Sequence, residues 1–287
     1  MNILITGGNG FIAKNLSENL SYKYKLFICN RIDLDLLDQS KVFDYFKEKK
    51  IDVVIHTATY DAAPKHSTKD YTKVLEYNLK MFFNIVRCND LFGKMIYFGS
   101  GAEFDREFWQ PKMKEDYFEK HIPTDQYGFS KYIMTKYTQS HKNIYNLRLF
   151  GLYGKYDDWR TRLIPNVCYQ AITNKKITID QNKFYDFLFI NDLIRIVDWF
   201  IKNEPKTNIY NICSGRVIDF ETVVNKIIKI SGKKLILEIK NNNLGKEYSG
   251  DNTLFLNELE EFKFTPIDKG LKSLYSWYDK NRKEYFK

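Results

Sequence analysis

The stretch Asn2-Ile3-Leu4-Ile5-Thr6-Gly7-Gly8-Asn9-Gly10-Phe11-Ile12-Ala13 decides the fold. An apolar run, Ile3 to Ile5, ends in Thr6. Three glycines follow at once, and Phe11, Ile12 and Ala13 then open a helical pattern. This reads as strand, tight turn, helix. Gly7 permits the turn, and Gly10 lets the backbone come close to a ligand. The first free N–H groups of the helix then point at a pyrophosphate. A glycine trio alone is weak evidence, and an ordinary glycine-rich turn is the alternative. The position after a strand and before a helix favours the nucleotide reading.

Outward from this stretch, strands and helices alternate. The pattern predicts a helix over 11–22, a strand over 25–29 and a helix capped by Ser40 and running to 49. A strand over 51–55 follows, then a long helix over 71–91 with Val74, Leu75, Asn78, Phe82, Ile85 and Val86 on one face. A strand over 94–99, a helix over 126–140 and a strand over 144–149 complete the first half. Such alternation gives an α/β fold, a doubly wound parallel sheet that takes ligands at the carboxyl ends of its strands.

After Gly154 the rhythm changes. Helices are expected over 161–172, 192–202, 220–231 and near 269–282, with short strands between, among them 208–213 and 235–239. A polar loop covers 241–243. This is a smaller α+β lobe expected to roof the cleft. We therefore expect a dinucleotide-binding domain over 1–160, to which 177–215 returns in part, and a substrate-binding lobe over 161–287.

The 287 residues suffice for a large core, and 16% aromatic content excludes a disordered chain. The net charge of +9 comes from dispersed lysines, densest near 47–50. Dispersed lysine means a solvated surface, so no nucleic-acid partner is expected. A basic surface also suits a polyanionic small ligand. Cys29, Cys88, Cys168 and Cys213 are far apart and form no CxxC, as in a protein with reduced, buried thiols. The four histidines lack metal-ligand spacing. There is no membrane-spanning apolar run, and the chain opens directly on its first strand, so a cytoplasmic protein without a leader is expected.

The second informative stretch is Tyr127-Gly128-Phe129-Ser130-Lys131. Tyr and Lys at i,i+4 share one helix face. A nearby ammonium favours the phenolate, so tyrosine can exchange a proton with a substrate oxygen near working pH. The pair opens the helix that follows the fourth strand, and that strand ends in Phe98-Gly99-Ser100, which puts a hydroxyl at the mouth of the cleft. A surface Tyr/Lys pair is the alternative.

With these residues in view, the chain resembles the extended short-chain dehydrogenase/reductases of the NAD-dependent epimerase/dehydratase family. The resemblance rests on Thr6 to Ile12, His56-Thr57-Ala58, Asn78, Ser100, Tyr127 with Lys131, and Leu152-Tyr153-Gly154. It extends to the stretch from Asp186 to Asp192 and to Tyr210-Asn211-Ile212-Cys213-Ser214-Gly215. The third turn glycine of many dinucleotide folds is Ala13 here, which the family tolerates. The resemblance implies Tyr127 as general acid/base and Lys131 as the group that lowers its pKa and holds the nicotinamide ribose. Ser100 would hydrogen-bond the reacting sugar oxygen. Gly7, Gly10, Phe11, Ile12, Asn30, Arg31, Asp35, Leu36, Thr57 and Ala58 would join Tyr127 and Lys131 around the cofactor. Ser100, Gly101, Tyr127 and Arg162 would meet the substrate. Helices 71–91 and 126–140 pair between subunits in many relatives, which implies a homodimer. His56 is expected to be structural.

Within the family, 4,6-dehydratases carry an Asp-Glu pair after the catalytic Ser/Thr; Gly101-Ala102 stand here, and Glu103, one place further, is expected to be a loop carboxylate. The segment from Cys29 to Asp38 resembles the GDP-fucose synthase and 4-ketoreductase group. The Cys and His of that group's epimerising step correspond to Ala102 and Arg162, neither of which shuttles protons at neutral pH. A ketoreductase without 3,5-epimerase activity is what remains. Asn30-Arg31 at the end of the second strand, with no acid before Asp33, favours NADP(H) over NAD(H). Gly151 and Tyr185 replace an Asn and an Arg that often touch the nucleotide sugar, so Lys155, Arg160 and Arg162 become the candidates for its pyrophosphate. A nucleotide-sugar 4-epimerase holding NAD, a reductase of an unrelated small ketone and a non-catalytic NADP-sensing protein are the other readings.

Overall fold

The computed structural model describes residues 1–62 and 67–286; His66 lies outside them. Its elements are β1 (Asn2–Thr6), α1 (Phe11–Leu20), β2 (Lys25–Cys29), α2 (Gln39–Lys49), β3 (Val53–His56), α3 (Val74–Val86), β4 (Lys94–Ser100), α4 (Gln126–Thr138) and β5 (Ile144–Leu149). There follow α5 (Leu163–Ile172), β6 (Ile177–Gln181), β7 (Phe184–Asp186), α6 (Ile190–Lys202), β8 (Ile209–Ile212), β9 (Val217–Asp219) and α7 (Phe220–Ser231). The chain closes with β10 (Leu237–Asn241), α8 (Thr253–Leu256) and α9 (Ile267–Tyr285).

Two compact units result. The first comprises 1–108, 114–149 and 194–211; the second comprises 109–113, 150–193 and 212–287. The first is built on a sheet of order β2-β1-β3-β4-β5-β8, and β2, β1, β3, β4 and β5 run parallel. This is the doubly wound arrangement the alternation predicts. The strand order reverses beside β1, whose Thr6 is flanked in register by Cys29 and His56. That is the switch point at which such sheets bind ligands.

The central strands β1, β3, β4 and β5 are buried on both faces, as a parallel sheet covered by helices must be, while the edge strand β2 is partly exposed. Leu4, Val54, Met95 and Ile144 are inaccessible to solvent and pack with Phe82 and Ile85 of α3. In the second unit α5, α7 and α9 pack on one another around Val167, Cys168, Val224, Ile227 and Leu271. β10 pairs in parallel with β6, and β7 pairs antiparallel with β9.

Three expectations are corrected. Asp38 rather than Ser40 caps α2, accepting from Lys41 N at 3.1 Å, because aspartate at that place reaches the free N–H groups of the first turn. The segment 71–91 is a 3₁₀ turn (Tyr71–Lys73), an α-helix and a second 3₁₀ turn (Asn89–Leu91), not one helix. Asp70 caps the first turn, and the chain must then double back into β4. Helix α5 starts at Leu163, because Asp158 draws Thr161 and Arg162 into a turn before it. All four cysteines are buried and free.

Candidate active site

The glycine turn is tightly constrained. Gly7 has φ +67°, and a Cβ there would lie 2.8 Å from Ala58 Cα, so the residue has to be glycine. Thr57 Oγ1 donates to Thr6 O at 2.6 Å, and Ala58 N donates to Thr6 Oγ1 at 3.2 Å. The end of β3 is thereby tied to the end of β1. Thr6 Oγ1 also meets His56 Nδ1 at 2.9 Å. Burial, with Lys131 adding to it, pushes His56 down to about 3. The imidazole is a neutral structural group.

Helix α1 begins at Phe11 with Gly10 as N-cap and no side-chain capping bond. Gly10 offers no side chain to cap the first N–H groups of the helix, which is the arrangement that accepts a phosphate. The turn therefore fits a dinucleotide's pyrophosphate on the chain's own geometry.

At the end of β2, Asn30 Oδ1 accepts from Ile32 N at 2.7 Å, which turns the chain outward. Arg31 is exposed, and its Nε is 3.9 Å from an Asp35 carboxylate oxygen. Both line a cavity of about 530 Å³ together with Asp33, Lys41, Asp44 and Glu48. Leu36 is buried and its carbonyl accepts from Asn84 Nδ2 at 2.8 Å.

Ser100, Tyr127 and Lys131 all lie in the first unit. Asp125 caps α4 by accepting from Gly128 N, which fixes the start of the helix that presents the pair. A Cβ on Gly128 would lie 2.7 Å from Ala102 O, so glycine between Tyr127 and Lys131 lets α4 sit against the segment after β4. Lys131 is buried, its Nζ donates to Phe98 O at 2.9 Å, and it lies 5.8 Å from the centre of the Tyr127 ring. Burial pulls this ammonium down to about 8, against which Glu103 and Asp61 act. Ser100 Oγ accepts from Ala102 N at 3.2 Å, which leaves its O–H as a donor. Gly101 follows it in a buried 3₁₀ turn. Arg162 lies in the second unit, exposed, as the residue before α5.

Two groups exceed what the sequence disclosed. Asn78 on α3 accepts from Tyr60 N at 2.7 Å and donates to Tyr60 O at 3.1 Å, so it clamps the segment leaving β3. Glu103 is not a loop carboxylate. It is wholly buried in the turn after Ser100 and pairs with the equally buried Arg148 at 2.8 Å. The signal available was an arginine inside the apolar strand 144–149, since a buried charge has to find a partner.

A family model described as NAD dependent epimerase/dehydratase family matches residues 3–213. The chain belongs to this family. Among curated relatives, a dTDP-D-glucose 4,6-dehydratase of Dictyostelium discoideum is 28% identical over 270 residues, covering 80% of this chain. The match spans 62% of that dehydratase's length. A solved GDP-L-fucose synthetase from Naegleria fowleri bound to NADP superposes with a TM-score of 0.88 at 19% identity, covering 100% of this chain and 95% of the other. A GDP-mannoheptose C4 reductase from Campylobacter jejuni with NADP bound gives 0.82 at 21%, covering 96% and 98%. At these identities the two structures establish a shared fold. Among the described residues no helix is long and apolar enough to cross a membrane, and no group of three or more acidic, His or Cys side chains is placed to hold a metal.

Proposed function

We propose that the protein is an NADPH-dependent reductase of a nucleotide-linked 4-keto-6-deoxysugar, forming an NDP-deoxysugar for surface polysaccharide synthesis without 3,5-epimerase activity. The observation behind this reading is the grouping of Tyr127, Lys131 and Ser100 beside a residue, Ala102, that is buried and cannot ionise. The names of the fucose synthetase and heptose reductase relatives support it.

Tyr127 gives a proton to the ketone oxygen while Ser100 O–H hydrogen-bonds the same oxygen. Lys131 stabilises the phenolate left behind and holds the ribose. The nicotinamide, when bound, supplies the hydride. Gly7, Gly10, Phe11 and Ile12 would hold the pyrophosphate, and Thr57 and Ala58 the cofactor's middle. Asn30, Arg31, Asp35 and Leu36 would surround the adenosine. Gly101 and Arg162 are assigned to the substrate. A soluble dinucleotide as co-substrate supports a cytoplasmic location. A homodimer pairing through α3 and α4 is part of the proposal. Light scattering at twice the chain mass is the expected result.

The deciding experiment follows NADPH consumption with CDP-, GDP-, dTDP- and UDP-linked 4-keto-6-deoxysugars, each made in situ by a 4,6-dehydratase. Oxidation with one of them is expected, and NADH is the control. Silence across the panel with NADPH binding intact would overturn the proposal.

A second reading, an NAD-dependent NDP-sugar 4-epimerase, is favoured by one feature. Asp33, Asp35, Asp44 and Glu48 outnumber Arg31 and Lys41 around the β2 cavity, and carboxylates repel a 2′-phosphate. Arg31→Asp separates the two. On the reductase reading it weakens NADPH binding roughly tenfold or more, the scale of a lost charge-assisted hydrogen bond, and shifts preference to NADH. Unchanged NADPH affinity by calorimetry would remove Arg31 from the cofactor site.

The same mechanism sets a pH dependence. Lys131 is an ammonium below about 8 and loses its charge as pH rises through that value. Turnover should therefore hold at neutral pH and fall on the alkaline side. His56, pushed to about 3, contributes no limb. A pH–rate profile flat to pH 10 would remove Lys131 from the reaction.

A further inference from the structure

The mechanism above leaves one buried ionic cluster unused. Glu103 and Arg148 are both inaccessible to solvent, with Oε2 and Nε 2.8 Å apart. A buried ion pair gains little over a well-packed apolar pair, so the charges here call for a role other than packing. Glu103 Oε1 accepts from Ser100 N at 2.9 Å and closes a capping box around the turn that begins at Ser100. Asn146 Nδ2 adds a hydrogen bond to the same carboxylate at 3.3 Å. Arg148 Nη1 is held by Asn211 Oδ1 at 3.0 Å, and its guanidinium lies 4.3 Å from the Phe104 ring centre.

The position of the carboxylate relative to Lys131 is specific. Lys131 Nζ holds the carbonyl of Phe98, and Glu103 holds the amide of Ser100, so the two charges bracket Gly99. Gly99 stands opposite Arg148 in the β4–β5 ladder. A Cβ on Gly99 would overlap Glu103 Oε1 and the Asn146 amide. The strand gives up a side chain at the point where the carboxylate enters. Among the described residues Lys131 has no carboxylate in direct contact. The charged or titratable groups that bear on it are Glu103, Asp61, the neutral His56 and the Tyr127 ring.

We propose that Glu103 is a positioning residue: its buried carboxylate fixes the peptide that carries Ser100 and provides the counter-charge for the Lys131 ammonium. One group then sets both the hydroxyl and the cation of the site. The assignment rests on the roles given to Ser100 and Lys131 in the proposed function. Burial is the main influence lowering Lys131, and Glu103 is the larger of the two that oppose it. Arg148 in turn is the partner that a buried carboxylate requires, 2.8 Å from Glu103.

The test titrates Lys131 directly, with neither substrate nor cofactor, so it is independent of whether the reductase assay succeeds. Lysine labelled with ¹³C at Cε is incorporated, and the Lys131 resonance is assigned by its loss in Lys131→Arg. Wild type should show an ammonium at pH 7 titrating near 8. Glu103→Gln should lower the proton affinity of Lys131 at least about tenfold, one pKa unit, with partial recovery in Glu103→Asp. A purely structural Glu103 would lower the melting temperature and leave the titration in place. Should Glu103→Gln not fold with Arg148 left unpaired, Glu103→Gln/Arg148→Met removes both charges and is titrated in the same way. An unchanged Lys131 titration in either variant overturns the proposal, and so does a neutral Lys131 at pH 7 in wild type.

Discussion

Tyr127→Phe is expected to lower turnover by about 10²–10⁴-fold, the usual worth of a positioned proton donor, and to leave NADPH affinity unchanged. The phenylalanine keeps the ring over which Lys131 lies, 5.8 Å from its centre, and removes only the group that exchanges a proton. The glycine turn, Thr57, Ala58 and the start of α1 are untouched, so cofactor binding measured by calorimetry or fluorescence should survive. Lys131 keeps its bond to Phe98 O, so the fold around the site should also stay intact. Full activity in the variant would sink the mechanism. Loss of NADPH binding in parallel would instead make Tyr127 chiefly a ribose contact.

The second large effect is on stability. Arg148→Met should destabilise the protein by roughly 3–5 kcal/mol, the cost of leaving a buried charge without its partner. Glu103 would remain at 0% exposure without the cation it directly contacts. Asn211 Oδ1 would lose its donor as well. Thermal unfolding followed by circular dichroism should show a drop of roughly ten degrees, given a few degrees per kcal/mol in a chain of this size. Adding Glu103→Gln to Arg148→Met should recover most of the loss, because a neutral pair no longer needs the counter-charge. A single variant as stable as wild type would mean that water or another group already compensates Glu103.

These two predictions also mark where sequence reading ends. Tyr127 and Lys131 were legible because a helix brings residues four apart onto one face, and that relation is local. The turn from Thr6 to Phe11 was legible for the same reason: strand, glycines and helix are contiguous. Family likeness then assigned roles to both. Glu103 and Arg148 are 45 residues apart and meet only because β4 and β5 are neighbours in the sheet. A charged residue three places after a serine looks like surface loop until the strand beside it is known to bear an arginine aimed inward. Asn78 was visible as part of the buried face of its helix, but its clamp on Tyr60 depends on where the segment after β3 comes to rest. The cap of α2 was misplaced by two residues, because aspartate and serine compete for the same task and both stand there.

The bare start of α1 has a practical consequence. A helix end whose N-cap supplies no side-chain capping bond attracts small anions as well as dinucleotides. Sulfate or inorganic phosphate in a buffer should therefore compete with the cofactor, weakening its apparent affinity. The same ions should raise the melting temperature in proportion to the logarithm of their concentration once above their own Kd. Affinities measured in phosphate and in an amine buffer should differ for this protein, and the choice of buffer anion becomes part of any thermal-shift screen for its ligands.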